Sequence, residues 1–283
     1  MIQTDLSVWY SATDLLNWMG CLHRTSLDAQ ALSDKTLRDW LAQQRRTARL
    51  LLPDSEEQTH FDTPAKARGD EHERAMLAGL KAEGRVITEI TRPDFSRPGI
   101  TAAAEQTRIE MEQGADVIFQ AALLDAPWFG FADFLVRIDC VPSKFGDYCY
   151  EVRDTKLARH ASASALIQMA HYGAILETVQ GASPPRLLIW LGTGEQFPWP
   201  YSDAAPYLLV ARERFLAFHA ARPVTQPDPV TACASCRWEQ RCEAGDNGWG
   251  PTDLIHIHRL TRRQRRILKD DGIATVGGLA SSS

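Results

Sequence analysis

The chain has no run of about 18 apolar residues, so nothing in it reads as a membrane-spanning helix. It has little net charge: 31 Lys and Arg against 36 Asp and Glu leave −5. No global field therefore advertises nucleic acid, and any such surface is local. The opening residues, MIQTDLSVWY, lack a basic stretch followed by an apolar one, which reads as the absence of a secretion signal. Cysteine is sparse, with six in 283 residues. Without a signal, that count argues against a disulfide scaffold and for reduced thiols in a cytoplasmic protein. Internal repeats are absent, as is any low-complexity tract beyond the terminal SSS.

What is present suits one large domain or two small ones with a sizeable core. Residues 11–20 predict a helix with Ser11 as N-cap, and 34–52 predict a second, basic on one side. A third spans 61–84, with Thr63 as N-cap, Pro64 at its first position and Gly84 at its end. Short β runs follow at 85–90, 115–123, 128–139 and 148–156, rich in Val, Ile, Phe and Tyr. Then come a helix at 161–180, an apolar strand at 185–192, a helix at 202–221 and a proline-bearing linker at 222–230. The order from residue 64, α-β-β-β-β-α-β-α, predicts a mixed sheet flanked by helices.

Residues two apart in a strand share a face, so Asp154 and Lys156 in EVRDTK point the same way, as do Asp133 and Asp139 in GFADFLVRID. Asp133 sits among Phe131, Phe134 and Leu135, where an unpaired carboxylate is costly. Two acids and a lysine on neighbouring strands suit a hard divalent cation beside a cationic helper. An ordinary surface pair at a strand end gives the same D-x-K triplet. Glu151 falls on the opposite face and reads as solvent-paired. His72 lies at the edge of a helical stripe of Glu73, Met76, Leu77 and Leu80, where Glu71 and Glu73 are alternative ligands.

The ordered set His72, G-x-x-D at 130–133, D-x-K at 154–156, then Gln168 and Tyr172 one helical turn apart, resembles the RecB-like branch of the PD-(D/E)XK nucleases. The resemblance implies a restriction-endonuclease-like α/β fold and metal-dependent hydrolysis of DNA at single strands or ends, in repair, recombination or defence. It implies His72, Asp133 and Asp154 as ligands of Mg²⁺ or Mn²⁺, Lys156 as the catalytic lysine, and Gln168 and Tyr172 as the supporting pair. The superfamily's proline is absent, since Ala132 precedes Asp133.

Near the end of the chain, CASCRWEQRC places Cys233, Cys236 and Cys242 as C-x2-C-x5-C, one sulfur short of a tetrahedral set. This spacing is similar to the iron–sulfur branch of the same family, which includes the AddB nuclease domain and the CRISPR-associated adaptation nucleases. There a cysteine before the nuclease core completes the set. The resemblance gives that place to Cys21 and implies a [4Fe–4S] cluster stapling the two ends of the domain. Zinc on four cysteines, or on three with His23, His256 or His258, is the rival. Cys140 and Cys149 read as buried small hydrophobes.

Beyond the nuclease-like stretch, 1–250, lies a basic segment, 251–283. Arg259, Arg262, Arg263, Arg265, Arg266 and Lys269 lead into GI-x-T-x-x-x-L, which is similar to part of a helix-hairpin-helix module. A basic surface helix ending at Gly272 is the plainer reading. The second helix has almost no room, which predicts an N-terminal piece of a longer protein; the resemblance implies further nuclease or helicase domains after it. DNA is the expected partner.

Overall fold

The computed structural model describes residues 1–3, 8–50, 64–244 and 249–282. The strands are β1 (Ile2–Gln3), β2 (Val8–Trp9), β3 (Ile87–Glu89), β4 (Val117–Asp125), β5 (Trp128–Ser143), β6 (Gly146–Lys156), β7 (Arg186–Leu191) and β8 (Gln196–Pro200). The α-helices are α1 (Ala12–Gly20), α2 (Leu22–Ser33), α3 (Lys35–Leu50), α4 (Pro64–Ala82), α5 (Arg97–Glu112), α6 (Ala163–Gln180), α7 (Tyr201–Ala221), α8 (Glu239–Ala244), α9 (Arg262–Asp270) and α10 (Val276–Ser281). Among the described residues no helix is long and apolar enough to cross a membrane.

The chain divides into two compact units. The first takes residues 1–16 and 50–216; the second takes 17–49 and 217–283.

The first unit is built on a six-stranded mixed sheet in the order β3-β4-β5-β6-β7-β8. β3/β4 and β6/β7 are parallel; the other neighbours are antiparallel. The expected mixed α/β sheet flanked by helices is therefore present. Two elements go beyond the sequence reading. α5 joins β3 to β4, as a parallel pair requires of its crossover, and β8 adds an edge strand, whose Pro198 and Pro200 suit an edge because they need no ladder donor. α5 has the expected start signals, a Ser96 cap accepting from Gly99 N and Pro98 in the first turn. Ile100, Ala103, Thr107 and Met111 form its buried stripe, and the Thr107 hydroxyl accepts from Ala122 N at 3.0 Å, docking it on β4.

One core cluster gathers Met76 and Leu80 of α4 against Val117, Phe134 and Val136 of the sheet. α6 has no polar face: eleven of its residues are buried, including His171 and Gln180. A helix apolar all round belongs in an interior. Its buried amide is satisfied, with Tyr150 N donating to Gln180 Oε1 at 2.8 Å and Gln180 Nε2 donating to Ala182 O at 2.9 Å.

The second unit has its own small core of Leu27, Ala31, Leu37, Trp238 and Cys242. Trp40 stacks on Trp238 with centroids 5.5 Å apart. Asp28 Oδ1 accepts from Trp238 Nε1 and from Arg237 Nη2, each at 2.5 Å, so this buried acid is paired and hydrogen-bonded.

The expected N-cap Thr63 lies outside the described residues. Ser11 does cap α1, its hydroxyl accepting from Asp14 N at 3.4 Å.

Phe134 is fully buried in the cluster under α4. Phe134→Ala is expected to cost about 3–5 kcal/mol, read as a lower urea midpoint at unchanged slope. Val224→Ala, at a side chain 97% exposed, is expected to change stability by less than about 0.5 kcal/mol.

Candidate functional site

The β5–β6 ladder runs to Phe134 opposite Arg153. The next step of that antiparallel register sets Asp133 against Asp154. Thr155 N and Oγ1 donate to Asp133 Oδ2 at 3.3 and 3.4 Å. Asp154 is 2% exposed, and neither of its oxygens has a hydrogen-bond partner. Its neutralising group is the Lys156 ammonium, 2.6 Å from Oδ2 as an ion pair. Asp133 is pushed well above the usual carboxylate range. Burial is the largest cause, followed by the close approach and charge of Asp154 and the charge of Glu73, against the pull of Lys156.

Gln168 and Tyr172 come from α6, where i, i+4 spacing brings them together. Gln168 Nε2 donates to the Tyr172 hydroxyl at 2.9 Å. That phenol is pushed up, first by burial and further by the charges of Asp154 and Asp133, while Gln168 opposes. The glycine of G-x-x-D has a steric reason. A Cβ at Gly130 would sit 2.4 Å from Tyr172 Cε1, so the ring lies against bare backbone of β5.

His72 and Glu73 arrive on α4. His72 is half-buried, and its Nε2 lies 3.3 Å from the Trp190 carbonyl. Glu73 Oε1 accepts from Gln120 Nε2 at 2.5 Å. The Glu73 carboxyl is raised, mainly by burial; Gln120 opposes, the charges of Asp70 and Asp154 raise it further, and Lys156 opposes them. Of the two acids beside His72, Glu73 thus shares a field with Asp133, Asp154 and Lys156, while Glu71 is exposed. The rival acid Asp139 is exposed and pairs with Arg137 at 2.9 Å, just before a register shift. Glu151 corrects the sequence reading: it is fully buried rather than solvent-paired, with Arg153 and Arg186 each 2.8 Å away. Gln120 went unread, although a lone amide within ADVIFQAAL was the available signal.

In the second unit, Cys21, Cys233, Cys236 and Cys242 line one cavity with His23, Asp228 and Trp249. Arg24 N donates to Cys21 Sγ at 3.3 Å and Val230 N to Cys233 Sγ at 3.2 Å. The Cys242 thiol is pushed up to about 12, by burial first and then by the other three thiols; Cys236 is raised for the same leading reason. His23 is held below its ordinary value by burial, and its Nδ1 meets Thr225 Oγ1 at 2.9 Å. His256 and His258 do not line the cavity. Cys149 is buried as expected; the side chain of Cys140 lies outside the description.

Among the described residues no group of three or more His, Cys, Asp or Glu is so placed that it could hold a metal ion as the side chains stand. The donor chemistry nevertheless fits at both places. Two buried Asp154 oxygens without hydrogen bonds suit a hard cation, and four thiols around one cavity suit a soft centre.

The basic tail is partly turned inward. Arg265 is buried, with its Nε 2.6 Å from Asp253 Oδ1, and Lys269 Nζ is 2.7 Å from Asp253 Oδ2. Asp253, although buried, is held far below the usual carboxylate range by those two cations and Ile255 N. Arg262 donates to the Pro229 carbonyl. Arg259, Arg263 and Arg266 remain exposed. Gly272 takes φ +83°, and a second helix does follow it: α10, capped by the Thr275 hydroxyl accepting from Gly278 N at 3.0 Å.

No protein-family model matches the chain, and no curated protein matches it.

Because burial raises the Asp133 carboxyl, its ionised form opposes folding. Stability from this group is present below the unfolded value and is lost as pH rises through the folded one. In EDTA at pH 7, Asp133→Asn is therefore expected to raise Tm by a few degrees, with the gain shrinking towards pH 4. A Tm that falls at neutral pH contradicts the burial argument. Gly130→Ala is expected to lower Tm through the clash with Tyr172, and Gly130→Ala with Tyr172→Ala to recover part of the loss.

Proposed function

We propose that this chain is a metal-dependent deoxyribonuclease of the RecB-like PD-(D/E)XK type, acting on single strands or ends. One observation carries the reading. A buried Asp154 lies beside a half-buried Asp133 with Lys156 against it, and both Asp154 oxygens are without hydrogen bonds. A fold keeps such an arrangement against its cost where the charge has a use.

Asp133 and Asp154, with His72 as the resemblance has it, would hold Mg²⁺ or Mn²⁺. When bound, the ion supplies positive charge that polarises a phosphoryl oxygen and eases deprotonation of water. Lys156 is only partly buried, with its side chain 30% exposed, so its ammonium can donate to a phosphate oxygen and offset charge developing there. Thr155 fixes the Asp133 carboxylate by two donations. Gln168 holds the Tyr172 hydroxyl beside the acids. Water adds to phosphorus as the bond to the leaving oxygen breaks.

Cys21, Cys233, Cys236 and Cys242 would hold a [4Fe–4S] cluster. When bound, it ties Cys21 to a segment more than 200 residues later, and the binding energy becomes folding energy. The support is the cavity that the four thiols share.

The second reading is a DNA-binding scaffold that does not cleave. Arg259, Arg263 and Arg266, exposed beside the left-handed Gly272 turn, favour it. Anaerobically purified protein with Mn²⁺ and single-stranded DNA separates the two. Cleavage by the wild type, reduced at least a hundredfold in Lys156→Ala, is expected. Binding without cleavage by either gives the scaffold. The same preparation is expected to be brown, absorbing broadly near ~400 nm, and Cys236→Ala to lose that band. Colourless protein with stoichiometric zinc sinks the cluster.

A further inference from the structure

Gln120 has no part in the catalytic set described so far, yet its backbone is one of the most unusual in the sheet. It sits within β4 at φ +56°, a left-handed conformation that L-residues adopt at a cost. The ladder pairs its neighbours, Phe119 with Phe134 and Ala121 with Ala132. Residue 120 therefore stands opposite Asp133, at the point where the acids meet. Glycine would take this conformation without strain. The sequence has glutamine instead, and the side chain is in use: Nε2 donates to Glu73 Oε1 at 2.5 Å.

Glu73 is half-buried, close enough to Asp154 and Lys156 to feel both charges, and Asp133 feels its charge in turn. Gln120, opposite Asp133 and bonded to Glu73, thus links that third acid to the place where Asp133 meets Asp154. Lys156 is ion-paired with Asp154 alone. An amide suits the task of holding one of these acids. It donates to one oxygen, Oε1, without consuming the second, and it brings no charge that competes with a cation. His72, the neighbour of Glu73, turns its Nε2 to the Trp190 carbonyl.

We propose that Glu73 is a third carboxylate of the cation site and that Gln120 is the positioning residue that holds it there, with the left-handed backbone at residue 120 aiming the amide. This rests on the metal-dependent reading above. Backbone strain persists at functional sites where the surrounding structure fixes it, and groups that hold a metal ligand in place are worth about 10–100-fold in affinity.

The test is Mn²⁺ binding to the full chain by calorimetry, with Tm in EDTA measured alongside. Wild type, Glu73→Gln, Gln120→Gly and the double variant are compared. Gln120→Gly is expected to melt at or above the wild-type temperature, because the strain is relieved. It is also expected to bind Mn²⁺ about tenfold more weakly. Glu73→Gln is expected to lose at least as much. The double variant is expected to lose no more than Glu73→Gln alone, because the amide acts through that carboxylate. Gln120→Asn, which keeps an amide and tolerates the backbone, is expected to fall between wild type and glycine. Unchanged Mn²⁺ affinity in Gln120→Gly overturns the proposal, as does a double variant that loses the sum of the two effects. A Gln120→Gly protein that melts well below wild type with undiminished affinity makes the residue structural and also overturns it. DNA cleavage is scored separately. Wild type that binds Mn²⁺ through Glu73 but cuts nothing removes the nuclease reading and leaves the positioning role intact; wild type that binds no Mn²⁺ removes both.

Discussion

Two carboxylates held together, one of them fully buried, set the terms for the rest of the first unit. Asp133 and Asp154 face each other on neighbouring strands, and the charge of Asp154 makes Asp133 harder to ionise. The charges of the two acids do not favour this pairing. It is imposed by the register of β5 on β6, which is locked further along by Phe134, Leu135 and Val136 opposite Arg153, Val152 and Glu151. The apolar cluster under α4 stabilises that register. Helix α6, buried along most of its length, covers the same strands and carries Tyr172 to the acids. Hydrophobic burial thus supplies the free energy that holds the charged groups where they oppose folding.

The neighbouring acid Glu151 shows what a buried carboxylate looks like when its role is structural. It is as deeply buried as Asp154, but Arg153 and Arg186 satisfy it on two sides. Asp154 has one ammonium and no hydrogen bond. The contrast lies three residues apart in one strand, on opposite faces of the sheet, so it reflects which side chains each acid meets. Incomplete satisfaction, not burial alone, marks the functional candidate.

Much of this was legible in the sequence. The mixed sheet followed from β runs set between helices, and Asp133, Asp154 and Lys156 met because alternation along adjacent strands is local geometry. Gln168 and Tyr172 met for the same reason on a helix. The misses were non-local. α5 carries clear start signals at Ser96 and Pro98, but a glycine and a run of alanines blur its apolar stripe. The burial of Glu151 depends on Arg186, thirty-five residues away and on another strand. The Gln120 amide finds its partner forty-seven residues earlier, on a helix. In the second unit, the spacing of Cys233, Cys236 and Cys242 was plain, whereas the inward turn of Arg265 onto Asp253 could not be read from a run of basic residues.

The central claim is that the paired acids exist to hold a divalent cation. Crystals grown with Mn²⁺ and measured near the manganese absorption edge test it most directly. The account predicts an anomalous peak at oxygen-bonding distance from both Asp133 and Asp154, with the Lys156 ammonium no longer paired to Asp154 alone. Crystals that carry manganese elsewhere, with the two acids still facing each other and no peak between them, would contradict it.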